Sequence, residues 1–436
     1  MDSCQVVVVR PAEERARVRR GTEPAAALSV AAAAGAGQPG RRRSGAGECP
    51  EAPGSARGRR KRAAGCVLRA AGFARVGGMN RMDTTATPLR VGLLGFGLAG
   101  SVFHAPLIAT TPGLVLDTVV TSDPERRKRA REAGAPGDEV RTVASADELF
   151  ADADRLDLVV VATPNRTHVP LTHRALDAGL PVVVDKPLAP TGAEARELAA
   201  KAESRGLLLA PFQNRRWDND FLTLRSLLAE DALGEVFRFE SRFERWRPRL
   251  KGGWRESGDP EEVGGLLYDL GSHVVDQALT LFGPAASVYA ESDVRRAGAA
   301  ADDDTFIAIT HESGVRSHLW MSATAAQLGP RFRVLGSRAA YVKYGLDPQE
   351  SALRGGARPV EGTPWGVEPE DSWGTLGAQD PPGALRTVPT LDGDYPAFYD
   401  AVAGALREGT PPPVTAHEAA AALQVLETAR SFARDG

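Results

Sequence analysis

Leu89-Arg90-Val91-Gly92-Leu93-Leu94 runs straight into Gly95-Phe96-Gly97-Leu98-Ala99-Gly100. The first six residues suit a buried strand, and the next six carry glycine at the spacing G-x-G-x-x-G. In that setting each glycine has a task. The first permits a tight strand-to-helix turn, the second lets backbone approach a pyrophosphate, and the third lets the helix pack closely on the sheet. The helix then points its free N–H groups at the phosphates. Gly95, Phe96, Gly97, Leu98, Ala99 and Gly100 are therefore the expected cofactor contacts. The spacing alone says little in a chain of 46 glycines; its place between strand and helix gives it meaning.

Working outward, short β-branched runs at 89–94, 116–121, 157–163, 181–185 and 207–210 alternate with helical stretches at 124–133, 169–178 and 192–204. Gly134, Gly179 and Gly206 stand where helix C-caps should fall. That rhythm predicts parallel βαβ units and a Rossmann domain over 89–211. After Phe212 the period becomes two: Phe237, Phe239 and Phe243 alternate with Arg238, Glu240, Arg242 and Glu244, as in a half-buried strand. Further strands are expected at 286–294, 304–310, 315–321, 331–335 and 339–343. Residues 212–436 are thus expected to form a second domain, a large, mainly antiparallel sheet covered by helices, so that the fold class is α/β followed by α+β. Within it, 347–393 reads as a long excursion and 416–433 as an amphipathic helix.

The charge is divided along the chain. Residues 1–88 hold 16 Lys and Arg against 7 Asp and Glu, while the whole chain carries a formal −3, which leaves −12 on the remaining 348 residues. An acidic body argues against nucleic-acid binding, which needs a basic surface. The leader 1–88, with arginine clusters among Ala, Gly and Pro, reads as disordered and outside the enzyme fold. A translated upstream region before Met79 or Met82 is the favoured origin, ahead of a transit peptide or a basic binding tail. Cys4, Cys49 and Cys66 all lie in it, so the body offers no disulfide or cysteine metal site, in keeping with a cytoplasmic protein. No apolar run reaches the roughly 18 residues of a membrane span.

Two more strand ends carry candidate chemistry. Strand 157–163 ends in Thr163-Pro164-Asn165 with His168 following, and strand 181–185 ends in Asp185-Lys186-Pro187. Open parallel sheets bind ligands at that edge, so Lys186 is expected beside a nicotinamide, where its charge would stabilise a developing alkoxide. In Tyr268-Asp269-Leu270-Gly271-Ser272-His273, Asp269 and His273 share a helical face with Asp276 or Gln277. His273 suits a general base because its ordinary pKa is near neutrality, and Asp269 would orient its ring or hold a substrate hydroxyl. His104, His173, His311, His318 and His417 lack metal-ligand spacing and read as structural. Asp302-Asp303-Asp304 reads as a solvated loop, and no metal is expected. A P-loop and a nucleophile elbow are both missing, which excludes the kinase and hydrolase readings.

These motifs, in this order and spacing, resemble those of the Gfo/Idh/MocA oxidoreductases, the family of glucose-fructose oxidoreductase and inositol dehydrogenase, over 89–433. Asp185 stands where that family commonly has Glu. Ser101-Val-Phe-His104-Ala-Pro106, Asn214-Arg-Arg-Trp217-Asp-Asn-Asp-Phe221 and the stretch from Tyr341 to Glu350 are most similar to the NADP-type scyllo-inositol dehydrogenases. The resemblance implies a cyclic polyol or sugar substrate, catalytic roles for Lys186, Asp269 and His273, and a cleft lined by Arg215, Arg216, Trp217 and Tyr268. It also implies a homo-oligomer, dimer or tetramer. At the end of the second strand, Thr121 and Ser122 with Arg126 and Arg127 nearby would accept a 2′-phosphate, so NADP(H) is expected over NAD(H); Asp123 is the residue that would favour NAD. A redox-inactive sensor of nucleotide and sugar is the alternative, opposed by the presence of both Lys186 and His273, and a reductase of another sugar ketone remains open.

Overall fold

The computed structural model describes residues 7–8, 87–259, 262–380 and 384–435. The basic leader expected to be disordered lies outside these, apart from residues 7–8 and 87–88. The first domain is a six-stranded parallel sheet of β2 (Leu89–Leu94), β3 (Leu114–Val120), β4 (Arg141–Val143), β5 (Leu158–Val161), β6 (Val182–Val184) and β7 (Leu209–Pro211) in the order β4-β3-β2-β5-β6-β7. Every residue of β5 and β6 is a buried Leu or Val, the composition of parallel strands covered on both faces. Register aligns the strand ends: Leu94 lies beside Val120 and Val161, and Val161 beside Val184. The residues that follow each strand therefore emerge at one edge of the sheet.

Around this sheet lie α1 (Ala105–Thr110), α2 (Pro124–Arg131), α3 (Ala146–Ala151), α4 (His168–Asp177) and α5 (Gly192–Ser204). Ala99–His104 forms a π-helical turn ahead of α1. Gly179 and Gly206 take the left-handed conformation expected of C-caps. Gly134 does not, because α2 already ends at Arg131; a Cβ there would come within 2.9 Å of Val140 Cγ2, so close packing is what demands glycine.

A connection through α6 (Asn219–Ala229) leads to a nine-stranded sheet of order β1-β9-β10-β11-β8-β12-β13-β14-β15. Its strands are β1 (Val7–Val8), β8 (Val236–Glu244), β9 (Ala285–Asp293), β10 (Asp304–His311), β11 (Arg316–Ser322), β12 (Phe332–Gly336), β13 (Ala340–Lys343), β14 (Gly374–Gly377) and β15 (Arg386–Val388). All pairs are antiparallel except β8 with β11. In β8, Phe239 and Phe243 are fully buried, but Phe237 at the start of the strand is 51% exposed and Glu240 is buried as well, so the alternation is only partial. The 347–393 segment is less of an excursion than its Gly and Pro content suggests: it carries α9 (Gln349–Arg354) and returns β14 and β15 to the sheet.

The covering helices are α7 (Leu266–Asp269), α8 (Gly271–Phe282) and α11 (Ala416–Asp435). One apolar cluster runs from Leu198 and Ala202 of α5 through Leu423 and Leu426 of α11 to Val288 and Ile307 of the large sheet. A second joins Phe96 and Leu107 to Phe398, Tyr399 and Val402 of α10 (Pro396–Glu408), so this late helix packs on the parallel sheet. Among the described residues, no helix is long and apolar enough to cross a membrane, and no group of His, Cys, Asp and Glu is arranged to hold a metal ion.

Candidate active site

The three glycines differ in ways that match their spacing. Gly95 has φ +95°, and a Cβ on it would meet Ala162 O at 2.6 Å; a Cβ on Gly100 would meet Gly95 O at 2.1 Å. A Cβ on Gly97 would meet nothing within 4 Å among the described residues. The first and third glycines thus close the turn onto the sheet, and the second leaves open the space a pyrophosphate needs. Phe96 is buried beneath the loop, while Leu98 and Ala99 face the cleft. These residues fit a dinucleotide.

At the end of β3, Thr121 is buried and Ser122 exposed. The Asp123 carboxylate accepts the Arg126 backbone N–H at 2.9 Å and caps α2. That hydrogen bond, with the nearby Arg126 and Arg129 charges, holds its pKa below the usual carboxylate range. The carboxylate is therefore committed to its own helix. Arg127 donates through Nε to Thr121 O at 3.0 Å, which ties it to the strand end, and the Arg126 side chain is solvent-exposed.

At the end of β5, His168 is buried with its ring nitrogens 2.7 Å from Pro187 O and 2.9 Å from Thr163 O. It braces the two strand ends that frame the site and does not line the cleft. Asn165 donates to Glu262 O. Lys186, just past β6, donates through Nζ to Asp269 O at 2.7 Å and Asp269 Oδ1 at 2.9 Å. An ammonium has three donors; the third is left for the cleft, which Lys186 lines. The Asp269 carboxyl, though half-buried, is held well below its ordinary pKa by Lys186 and Arg255.

The backbone around Asp269 explains this contact. α7 ends at Asp269 and α8 begins at Gly271, with Leu270 between them, and His273 N bonds to Leu270 O. An unbroken helix would spend Asp269 O on that N–H; the break frees it for Lys186. Asp269 consequently pairs with Lys186 and leaves His273 without the orienting partner expected from the spacing. His273 is buried, its Nδ1 has no hydrogen-bond partner among the described residues, and its ring lies 6.5 Å from that of Phe243. Burial first, then the charges of Lys186, Arg215, Arg331 and Arg245, push its pKa well below the ordinary value, so the near-neutral pKa expected for it does not apply.

Not every predicted residue reaches this place. Arg216 turns the other way, gripped by Asp276 through two bonds of 2.7 and 2.8 Å and by Glu418 at 3.1 Å. Trp217 packs edge-on against Phe398 with ring centres 5.6 Å apart. Tyr268 is buried in the apolar core between α7 and α11. None of the three lines the cleft, because each spends its polar or apolar surface on the framework around it. Arg215 does line it, bonded to Asp218 and Glu350. Of the remaining histidines none borders the cleft; His104, for example, bonds Tyr399 Oη at 2.7 Å. Asp302-Asp303-Asp304 is a bonded turn instead of a solvated loop: Asp302 accepts the Leu267 N–H, Asp303, fully buried, accepts from Arg295 and Arg296, and half-exposed Asp304 opens β10.

The cleft measures about 370 Å³, and much of its wall is cationic, with Arg245, Arg247, Arg249 and Lys251 joining Lys186 and Arg215. These four went unread in the sequence, although Arg245-Trp246-Arg247-Pro248-Arg249-Leu250-Lys251 alternates cations in a period of two.

A glycine cradle at the strand ends and a Lys–Asp pair beside a buried imidazole define a nicotinamide-dinucleotide oxidoreductase. The chain belongs to the Gfo/Idh/MocA oxidoreductase family: residues 89–212 match its NAD-binding Rossmann fold and 225–436 its C-terminal alpha/beta domain. It is 45% identical to the oxidoreductase YdgJ of Escherichia coli (strain K12) over 78% of this chain and 94% of YdgJ. It is 34% identical to the scyllo-inositol 2-dehydrogenase (NADP(+)) IolW of Bacillus subtilis (strain 168), over 82% of this chain and 96% of IolW. A solved oxidoreductase structure from Yersinia pestis superposes with a TM-score of 0.74 at 39% identity, covering 81% of this chain and 97% of that one.

Proposed function

We propose that this oxidoreductase uses NADP(H) to interconvert a secondary alcohol and a ketone on a cyclic polyol or sugar. The observation that carries the reading is the meeting of Lys186, Asp269 and His273 at the mouth of the glycine cradle. When bound, the nicotinamide accepts or returns the hydride. Lys186 holds the reacting oxygen with its remaining N–H and stabilises negative charge there as the hydroxyl proton leaves. His273, kept neutral by its surroundings, takes that proton on an imidazole nitrogen, and it returns the proton when a ketone is reduced. Asp269 keeps the Lys186 ammonium in place.

The 2′-phosphate preference is supported by Asp123 being spent on its helix cap, by exposed Ser122 and Arg126, and by the NADP(+) in the name of IolW. The test is to follow reduced-nicotinamide absorbance with a panel of keto-cyclitols and keto-sugars, using NADPH and NADH. Turnover with a higher kcat/KM for NADPH is expected. Silence despite tight NADPH binding would refute the redox assignment, and a higher kcat/KM with NADH would overturn the cofactor preference alone.

A further inference from the structure

The acids of the cleft are all engaged. Asp269 pairs with Lys186 and Arg255, Glu350 with Arg215 and Arg354, and Glu256 with Arg296. Asp185 accepts the Lys186 N–H, and Asp302 the Leu267 N–H. Lys186, Arg215, Arg255, Arg296 and Arg354 are matched by these acids, whereas Arg245 and Arg247 form no ion pair among the described residues. Backbone bonds from Arg245 N to Ser322 O and from Arg247 N to Ala323 O, both 2.8 Å, extend the chain beyond β8. In an extended chain residues 245 and 247 project to the same side, here into the cleft, while Trp246 between them is 57% exposed.

The Arg245 guanidinium, half-buried over the Phe243 ring at 4.9 Å, has neither a hydrogen bond nor an ion pair among the described residues. Burial and the adjacent Arg247 push its pKa down to about 10, against the opposing pull of the Asp269 and Glu350 carboxylates. A partly desolvated cation without a directly bonded counter-ion is costly, and a second cation beside it adds to the cost. Arg215, Arg249 and Lys251 stand on the wall of the same cleft. Together these groups describe a cavity built to receive an oxyanion.

We propose that the substrate of this site carries an anionic group, a carboxylate or phosphate on the sugar or polyol, which Arg245 and Arg247 bind while Lys186 and His273 engage the reacting hydroxyl. This rests on the redox reading above and narrows its substrate class. The bound anion would offset the field of the four cations that depresses His273, moving the imidazole toward the proton affinity an acid–base catalyst needs.

The experiment measures kcat/KM with NADP for scyllo-inositol and D-glucose against D-glucuronate and D-glucose 6-phosphate, in the wild type and in Arg245→Gln, with NADPH affinity measured in parallel. One anionic sugar should exceed the neutral compounds by at least roughly 10-fold, and its identity separates carboxylate from phosphate. Arg245→Gln should shrink that preference by on the order of 10- to 100-fold, the scale of a hydrogen bond to a charged group, with NADPH affinity within about two-fold. Turnover of neutral compounds alone overturns the anion site and leaves the redox reading intact; silence with every compound overturns both. A preference unchanged in Arg245→Gln, or a matching loss of NADPH affinity, also overturns the proposal.

Discussion

His273 shows how far a residue's behaviour departs from its type. Its ordinary pKa of about 6.5 would make it half-protonated near neutrality, but burial and four surrounding cations favour the neutral ring. The folded pKa lies below the unfolded one, so the unfolded chain takes up a proton that the native imidazole refuses. Stability from this group is full above about pH 6.5 and declines as pH falls below it. For alcohol oxidation the acid limb of kcat/KM due to His273 should therefore have its midpoint clearly below 6.5. In His273→Asn that limb should vanish and kcat should fall by about 10²- to 10⁴-fold. A limb centred at or above 6.5 in the free enzyme, or near-normal turnover in the variant, would contradict the role given to this histidine. The residue types of the site were legible in the sequence. Their partners were not: Asp269 could be assigned to His273 from helical spacing only while the helix was taken to be continuous, and the break at Leu270 sends it to Lys186.

At the scale of elements, the turn from β2 into its π-helical continuation was the most legible part of the chain. Gly95 and Gly100 are required by contacts within a few residues or across one strand. Gly97→Ala should leave the melting temperature nearly unchanged, because its Cβ enters empty space, while weakening dinucleotide binding. Gly100→Ala should destabilise the protein by about 1–3 kcal/mol, since a Cβ 2.1 Å from Gly95 O forces the turn apart. Paired melting curves and cofactor titrations check this; equal melting temperatures for the two variants would refute the division of labour. The sequence was less informative where an element's place depends on distant partners. β14 and β15 are short, and Gly374–Gly377 gains its strand character from pairing with β13. The cationic run from Arg245 to Lys251 looks like an ordinary solvated edge until the other wall of the cleft is in place.

For the whole molecule, Lys186 comes from the parallel-sheet domain and Asp269 and His273 from the helices that cover the large sheet, so the site exists only where the two meet. α11, packed on both α5 and β9, and α10, packed on α1, hold that meeting in place through the two apolar clusters. The alternation of strand and helix foretold each domain's class, since period-two and βαβ patterns are local. It could not foretell that α10, late in the chain, would pack back onto the first sheet, because an amphipathic stripe does not specify what it will cover. The proposed chemistry therefore depends on the Lys186–Asp269 bridge. Its most direct test is kcat for the best ketone substrate and Kd for NADPH in wild type and Lys186→Met. Loss of the charge at the reacting oxygen should lower kcat by about 10²- to 10³-fold with Kd within a few-fold, whereas near-normal turnover, or a loss confined to NADPH binding, would contradict it.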